Sequence, residues 1–318
     1  MLNILFYLIF TKLKINKSLL KSLLLIWVNP LILMNTVIQG YRDIYSVLFV
    51  MGSVLLISYK KYFLAGVIIA LGFLVKPQIL FLVIIVLVII PKKKILNYFS
   101  GGIFMISVLI LVYFSTGYLY GLAASFLMVS GATTKWYPST LSFFTPFTFV
   151  QHHQDFIYFH VSAKLVSWVN NMAEYLQYIS LIHIMGSIIA VVLFRKFISD
   201  KVGAIFSIEF FYLTLFIFML RPNAQPNHYF AISIFWLLSL AKFDKFFWSK
   251  FTILACFLIQ DLGYNGFGRN SIYVGTSSNY SDLIFILSIL ICIILVKDIH
   301  TYRINAQKPK SNLTNIKT

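Results

Sequence analysis

Charged side chains are scarce in this sequence. Only 11% of its 318 residues are Asp, Glu, Lys or Arg, whereas 60% are hydrophobic, and the mean hydropathy is +0.87. A soluble domain with a single core does not have this composition. The scarcity of charge therefore excludes an ordinary soluble domain and predicts a multi-spanning membrane protein.

Cysteines and glycine-rich loops are also rare or absent. The two cysteines, Cys256 and Cys292, lie in apolar runs and have no metal-ligand spacing. This pattern excludes a disulfide framework and a cysteine zinc site, and it predicts no metal site. The chain has no glycine-rich phosphate loop and no Rossmann fingerprint, so a soluble nucleotide-sugar domain is not expected.

Apolar runs that suit a crossing of about 30 Å of hydrocarbon recur from one end of the chain to the other. They predict an all-α, polytopic transmembrane helical bundle of about ten to eleven spans, some of which need neighbouring helices or local bilayer thinning. The ten full spans are predicted at 19–36, 44–58, 62–76, 78–91, 95–115, 176–194, 202–220, 228–241, 251–262 and 282–297.

The net charge of +17 follows a topological pattern. Twenty of the 26 Lys and Arg lie in alternate connections and would be cytoplasmic by the positive-inside rule: Lys12, Lys14, Lys17, Lys21, Lys60, Lys61, Lys92, Lys93, Lys94, Arg195, Lys196, Lys201, Lys242, Lys245, Lys250, Lys297, Arg303, Lys308, Lys310 and Lys317. The other six fall on the opposite face: Arg42, Lys76, Lys135, Lys164, Arg221 and Arg269. This asymmetry predicts a multi-pass protein of the cell membrane, with the basic side against an anionic leaflet. Nucleic acid is not expected, because no basic stripe interleaves with exposed aromatic residues.

Both ends of the chain carry topological information. Met1 to Thr11 are apolar but too short to cross, and a signal peptide would place its positive charges before the apolar stretch. We expect these residues to end a span that enters from outside, with upstream residues missing from this reading frame. Residues 1–302 are predicted to form the transmembrane domain, and residues 303–318 a cytoplasmic basic tail.

The longest connection, 116–175, falls on the predicted outer face and is rich in Tyr, Phe and Trp. Such a segment is typical of short amphipathic helices that lie at headgroup level. It holds His152, His153, Asp155 and His160. One interpretation is an interfacial belt with incidental polar residues. The other is a lid or an acceptor-binding surface, to which His152 and His153 would contribute.

Three polar clusters interrupt the apolar runs on the predicted outer face: Arg42-Asp43, Lys76-Pro77-Gln78 and the segment from Arg221 to His228. Asp43 either caps a helix or acts as a general base or as the ligand of a divalent cation. Lys76 either snorkels from a helix end or neutralises a lipid phosphate. Arg221 and His228 lie in a proline-bounded turn, and their side chains suit phosphate recognition. We therefore predict one shared site.

The order of these motifs resembles a known family. Asn29-Pro30, then Gly40-x-x-Asp43, then Ala65-Gly66 followed by Lys76-Pro77-Gln78, and finally Pro226-Asn227-His228-Tyr229 are similar to the multi-spanning GT-C glycosyltransferases. The likeness covers roughly residues 19–240. It is strongest to the branch that uses polyprenyl-phosphate-linked mannose.

The resemblance implies an inverting transfer of a hexose, mannose in that branch, on the extracytoplasmic face. Its partners would be a polyprenyl-phosphate sugar donor, a glycan, lipid or protein acceptor and the lipid bilayer, with a divalent cation as the one cofactor to consider. Asp43 matches the acidic position after Asn-Pro, Lys76 the Lys-Pro position and His228 the late His-Tyr position. The family's principal acid lies in the first outer loop, before this chain begins. Either another chain or an upstream start supplies it, or Asp43 or Asp155 substitutes for it, or the protein is inactive.

In this scheme the donor phosphate would be bound by Lys76, Gln78, Arg221 and His228. Other classes fit the same composition: a transporter or flippase for lipid-linked sugars, a polysaccharide ligase, an inactive truncated paralogue or a structural membrane subunit. Transporters more often bury ionisable residues at the midplane and show repeat symmetry. The rare charges of this chain cluster instead at the predicted outer surface, and no internal repeat is visible.

Overall fold

The computed structural model describes residues 2–12, 43–75, 80–118, 141–173, 175–196, 203–220, 233, 235–240, 244–263 and 278–307. These residues form helices, turns and short connections without a strand, which confirms the all-α prediction. The predicted span 19–36 and the site candidates Lys76, Gln78, Arg221 and His228 lie outside the described residues.

Twelve helices are named here. They are α1 (Leu2–Lys12), α2 (Asp43–Ser58), α3 (Tyr62–Val75), α4 (Leu80–Val86), α5 (Ile95–Ser115), α6 (Thr145–His152), α7 (Gln154–His160), α8 (Ala163–Ala173), α9 (Leu176–Phe194), α10 (Ile208–Met219), α11 (Phe247–Gly263) and α12 (Ser278–Gln307). Three short 3-10 turns accompany them, at Leu87–Ile89, Lys92–Lys94 and Gly203–Phe206. The predicted boundary between residues 302 and 303 falls inside α12.

Helices α2, α3 and α5 pack in sequence, and α1 lies against α2. A tight reversal joins α2 to α3, with Lys60 in the left-handed region at φ 61°. The hydroxyl of Ser53 donates a hydrogen bond across this hairpin to the carbonyl oxygen of Ala65, at 3.0 Å. The polar side chain of a buried serine is thereby satisfied inside an otherwise apolar interface.

Two glycines allow α3 and α5 to touch through their backbones. A Cβ added at Gly66 would lie 1.9 Å from the carbonyl oxygen of Tyr98, and one at Gly101 would lie 2.0 Å from that of Phe63. Small residues commonly permit such close approach in membrane helix packing. Gly66, which the sequence analysis noted only as part of a motif, therefore has a packing role.

The centre of the second half of the bundle is aromatic. Trp236, in the helical residues 235–240, is fully buried, and its ring lies 4.8 Å from that of Phe257 in α11. Its indole N–H donates to the hydroxyl of Thr214 in α10, at 3.0 Å. Because a buried indole needs an acceptor, this hydrogen bond fixes how α10 faces the 235–240 segment.

Two helices of the described chain are long and apolar enough to cross a membrane, by length and composition: Lys92–Ser115 and Ser281–Tyr302. Five shorter apolar helices accompany them, at Val47–Ser58, Tyr62–Phe73, Ile182–Phe194, Ile208–Met219 and Phe247–Gln260. Large apolar side chains on α5 are exposed, among them Leu96 at 83% and Phe114 at 72%. Exposed apolar surface of this extent is typical of a helix that faces lipid.

Candidate functional site

The aromatic connection contains the expected short helices α6, α7 and α8, and the segment that leads into α6 is inserted into the bundle. Leu141 donates its backbone N–H to Oε1 of Gln260 in α11 at 2.9 Å, and Phe143 donates to the carbonyl of Met219 at 2.8 Å. Thr145 and Thr148 are buried. We expected these helices to lie along the interface. The backbone that leads into α6 finds hydrogen-bond acceptors on α10 and α11 and packs against the bundle, whereas Phe159 on α7 and Trp168 on α8 are exposed.

Helix α6 packs along the first turns of α12, and His153, the residue after α6, lies next to the carboxylate of Asp282. Nε2 of His153 lies 2.6 Å from Oδ1 of Asp282. The ring of Phe149, one turn before His153, stacks on Phe285, one turn after Asp282, with centroids 4.4 Å apart. Both partners of the pair are partly exposed, 27% for His153 and 43% for Asp282. The pair is therefore held by packing on one side and open to solvent on the other.

The two ring nitrogens of His153 have different roles in this geometry. With Asp282 ionised, Nε2–H donates to the carboxylate, and a neutral imidazole then keeps its lone pair on Nδ1. A carboxylate that orients an imidazole in this way fixes its tautomer and stabilises the imidazolium that forms when Nδ1 takes a proton. The pair can thus accept a proton from a hydroxyl group that binds beside it.

His152 directly precedes this pair in the sequence and is partly buried. Burial lowers the pKa of His152 below its ordinary value, and the neighbouring His153 lowers it further, whereas Asp282 acts in the opposite direction. Burial disfavours the charged imidazolium because it loses hydration. His152 is therefore neutral at pH 7.

The lowered pKa predicts an acid-sensitive contribution to stability. Below about pH 6.5 the unfolded chain binds a proton at this histidine more readily than the folded protein does, so stability falls as the pH is lowered. We expect His152→Gln to reduce the fall in melting temperature between about pH 7 and pH 5, measured on purified protein. His160→Gln, at an exposed histidine on α7, is the control. Parallel pH profiles for His152→Gln and the unmodified protein would contradict this prediction.

Two other predicted site residues lie at the starts of helices. Asp43 begins α2, and Asp155 is exposed in the first turn of α7. Sequence reasoning missed Asp282, which it treated only as the first residue of the span 282–297. The available signal was an acidic residue at the predicted outer end of a span, in a chain that has nine Asp and Glu in all.

A second polar cluster lies near the opposite end of α12. Asp298 is buried and accepts hydrogen bonds from the hydroxyl of Tyr212 and from that of Ser249, the latter at 3.0 Å. Asp282 and Asp298 are sixteen residues apart on one helix, which separates them by about 24 Å. The cluster at Asp298 joins α10, α11 and α12 and has a structural role.

Neither polar cluster has the composition of a metal centre. Within the described ranges no group of three or more His, Cys, Asp and Glu could hold a metal ion. Comparison of the chain with protein-family models, with curated proteins and with solved structures gives no match.

Proposed function

We propose that this chain is a multi-pass membrane glycosyltransferase of the GT-C kind. It transfers a hexose, mannose by the resemblance, from a polyprenyl-phosphate donor to an acceptor on the extracytoplasmic face. The observation that carries the proposal is the partly exposed His153–Asp282 pair. It joins the aromatic connection to the start of α12, two segments that the distribution of lysines and arginines assigns to the outer face.

Two contacts elsewhere support the assignment of segments to the cytoplasmic side by their charges. The ammonium of Lys12 lies 4.6 Å from the ring centroid of Tyr59, next to Lys60 in sequence. The guanidinium of Arg195 donates to the carbonyl of Ile90 at 2.5 Å, just before the basic turn Lys92–Lys94. Each contact brings together two segments that the charge distribution assigns to the cytoplasmic side, which supports the proposed orientation of these segments.

The proposed reaction is a direct displacement at the anomeric carbon. Nδ1 of His153 takes the proton of the acceptor hydroxyl, and Asp282 stabilises the imidazolium that forms. The acceptor oxygen bonds to the anomeric carbon from the face opposite the donor phosphate, which gives inversion. The bond from that carbon to the phosphate oxygen breaks, and the lipid phosphate leaves with the electron pair.

Cations near the leaving phosphate would stabilise its developing charge. Lys76, Arg221 and His228 keep this predicted role, with Gln78 as a hydrogen-bond donor to the phosphate. The His153–Asp282 pair is a third candidate for the acid–base role, beside Asp43 and Asp155.

The test is the transfer of radiolabelled mannose from polyprenyl-phosphate-mannose in membranes that contain this chain, and in membranes that contain the reading frame extended upstream. We expect His153→Gln and Asp282→Asn to lower kcat about a hundredfold, the contribution typical of a general base, with little change in the KM for the donor. His160→Gln on α7 is the matched control and should retain full activity.

Two outcomes would contradict the proposal: one concerns the proton acceptor, the other the enzymatic activity itself. Full activity of His153→Gln would exclude the pair as the proton acceptor and return the role to Asp43 or Asp155. No transfer by either form of a folded protein would exclude the glycosyltransferase and favour a transporter or an accessory subunit.

A further inference from the structure

A groove of about 670 Å³ opens along α12, between this helix and the inserted segment that leads into α6. Phe143 and Pro146 form one wall, and Ile289, Ile293 and Val296 form the other. The wall on α12 is a single stripe of the helix, because its three side chains are spaced by four and three residues. The groove is therefore largely apolar along this stripe and open towards the surroundings of the bundle.

The length of the groove suits one lipid chain. Its lining on α12 extends from Ser288 to Thr301, a separation of thirteen residues, which corresponds to about 20 Å along the helix axis. The hydrocarbon core of a bilayer is about 30 Å thick, so each leaflet's chains occupy about half of that. The acyl chain of a lipid in one leaflet therefore fits within the length of the groove.

The two ends of the groove differ in charge. Lys297 and His300 line the end nearer the C-terminus of α12, and both are exposed. They are three residues apart, so their side chains lie on neighbouring positions of one helix face. The adjacent carboxylate of Asp298 is buried and accepts hydrogen bonds from Tyr212 and Ser249. Lys297 and His300 are thus available to an anionic group outside the protein.

We propose that this groove binds an anionic glycerophospholipid of the cytoplasmic leaflet. One acyl chain lies against Ile289, Ile293 and Val296, and the phosphate is bound by the ammonium of Lys297 and the imidazole of His300. The charge distribution assigns this end of α12 to the cytoplasmic side, where the leaflet is anionic. The phosphate lies at the opposite end of α12 from Asp282, so this lipid is distinct from the sugar donor of the proposed transfer reaction.

The test uses the full chain in phosphatidylcholine vesicles with a small fraction of phosphatidylglycerol that carries a photoreactive group on one acyl chain. Labelled peptides are identified by mass spectrometry. We expect labels on Ile289 to Val296 and on Phe143, at a level several-fold above that from phosphatidylcholine with the same reactive chain. Lys297→Gln should lower labelling by the anionic probe about fivefold, the contribution of one cation near an anionic surface.

Two variants complete the design. Lys297→Gln combined with His300→Gln should reduce the anionic probe to the level of phosphatidylcholine, while Lys93→Gln, at an exposed lysine before α5, should change nothing. Melting temperatures of all variants are compared first, so that loss of fold is recognised separately from loss of binding.

Three results would overturn the inference: equal labelling by the anionic and zwitterionic probes, labelling that Lys297→Gln leaves unchanged, or labels that fall away from α12. Stronger labelling by a photoreactive polyprenyl phosphate than by phosphatidylglycerol would also overturn it, because the occupant would then be a different lipid. The measurement does not depend on sugar transfer, so its outcome is independent of the proposed enzymatic activity.

Discussion

We expect Gly101→Val to destabilise this protein strongly, and Gly186→Ala to leave the folded state intact. The expected difference follows from the contact between α3 and α5. A Cβ at Gly101 would lie 2.0 Å from the carbonyl oxygen and 2.8 Å from the carbonyl carbon of Phe63. Both are backbone atoms, so no side-chain rotation relieves the clash and the two helices must separate.

The size of the effect can be bounded. Overpacking of a well-packed interior typically costs 1–3 kcal/mol, and a rigid backbone contact belongs at about 3 kcal/mol or above. Separation of the helices would also expose the neighbouring buried side chains Ala65 and Tyr98. Helix propensity acts in the opposite direction, because alanine is favoured over glycine by about 1 kcal/mol in a helix. A destabilising Gly101→Ala would therefore identify the contact itself as the cause.

Gly102, in the same helix as Gly101, and Gly186, in α9, provide matched controls. A Cβ at Gly186 in α9 meets no atom within 4 Å, and one at Gly102 in α5 lies 3.7 Å from the carbonyl oxygen of Gly66, an ordinary contact. We expect Gly186→Ala and Gly102→Ala to melt near or slightly above the unmodified protein. The measurement is thermal unfolding of detergent-purified protein, followed by tryptophan fluorescence. An unchanged melting temperature for Gly101→Ala would mean that α3 and α5 do not approach this closely.

Sequence patterns predicted most of the described helices. The predicted spans 44–58, 62–76, 95–115 and 176–194 differ by at most one residue from α2, α3, α5 and α9. These apolar runs are bounded by lysines, prolines or polar turns, so their ends are visible without a structure. Prediction was poorer for 78–91, where α4 ends at Val86 and a 3-10 turn follows. An apolar run does not distinguish α-helix from a tighter helical turn.

Contacts between distant residues were beyond sequence reasoning. His153 and Asp282 are 129 residues apart, and Leu141 and Gln260 are 119 apart. The aromatic composition of the connection indicated an interface, but aromatic residues pack equally well inside a helical bundle. The acceptors that α10 and α11 supply to the backbone of Leu141 and Phe143 are not specified by any local pattern. The histidines were identified as candidates, and only the structure added their carboxylate.

A buried ion pair at the other end of the bundle should be as sensitive as the glycine contact. Lys250 in α11 is fully buried, and its ammonium donates to the carbonyl of Ser239 at 2.8 Å and to Oδ2 of Asp244 at 3.1 Å. We expect Asp244→Asn to destabilise the protein by about 3 kcal/mol, because it leaves a buried ammonium without this counter-charge. The hydrogen bond that Oδ1 of Asp244 accepts from the N–H of Phe246 can be kept by asparagine, so the charge is the main change.

Lys250→Met provides the decisive comparison. Methionine has a similar length and no charge, and Asp244 is 22% exposed, so its carboxylate can be hydrated once the ammonium is removed. We therefore expect Lys250→Met to melt at a higher temperature than Asp244→Asn, although both remove the same ion pair. Lys245→Gln, at an exposed lysine of the same turn, should melt like the unmodified protein. The reverse order, with Lys250→Met the less stable variant, would mean that the hydrogen bond to Ser239 and not the charge pair holds this end of the bundle together.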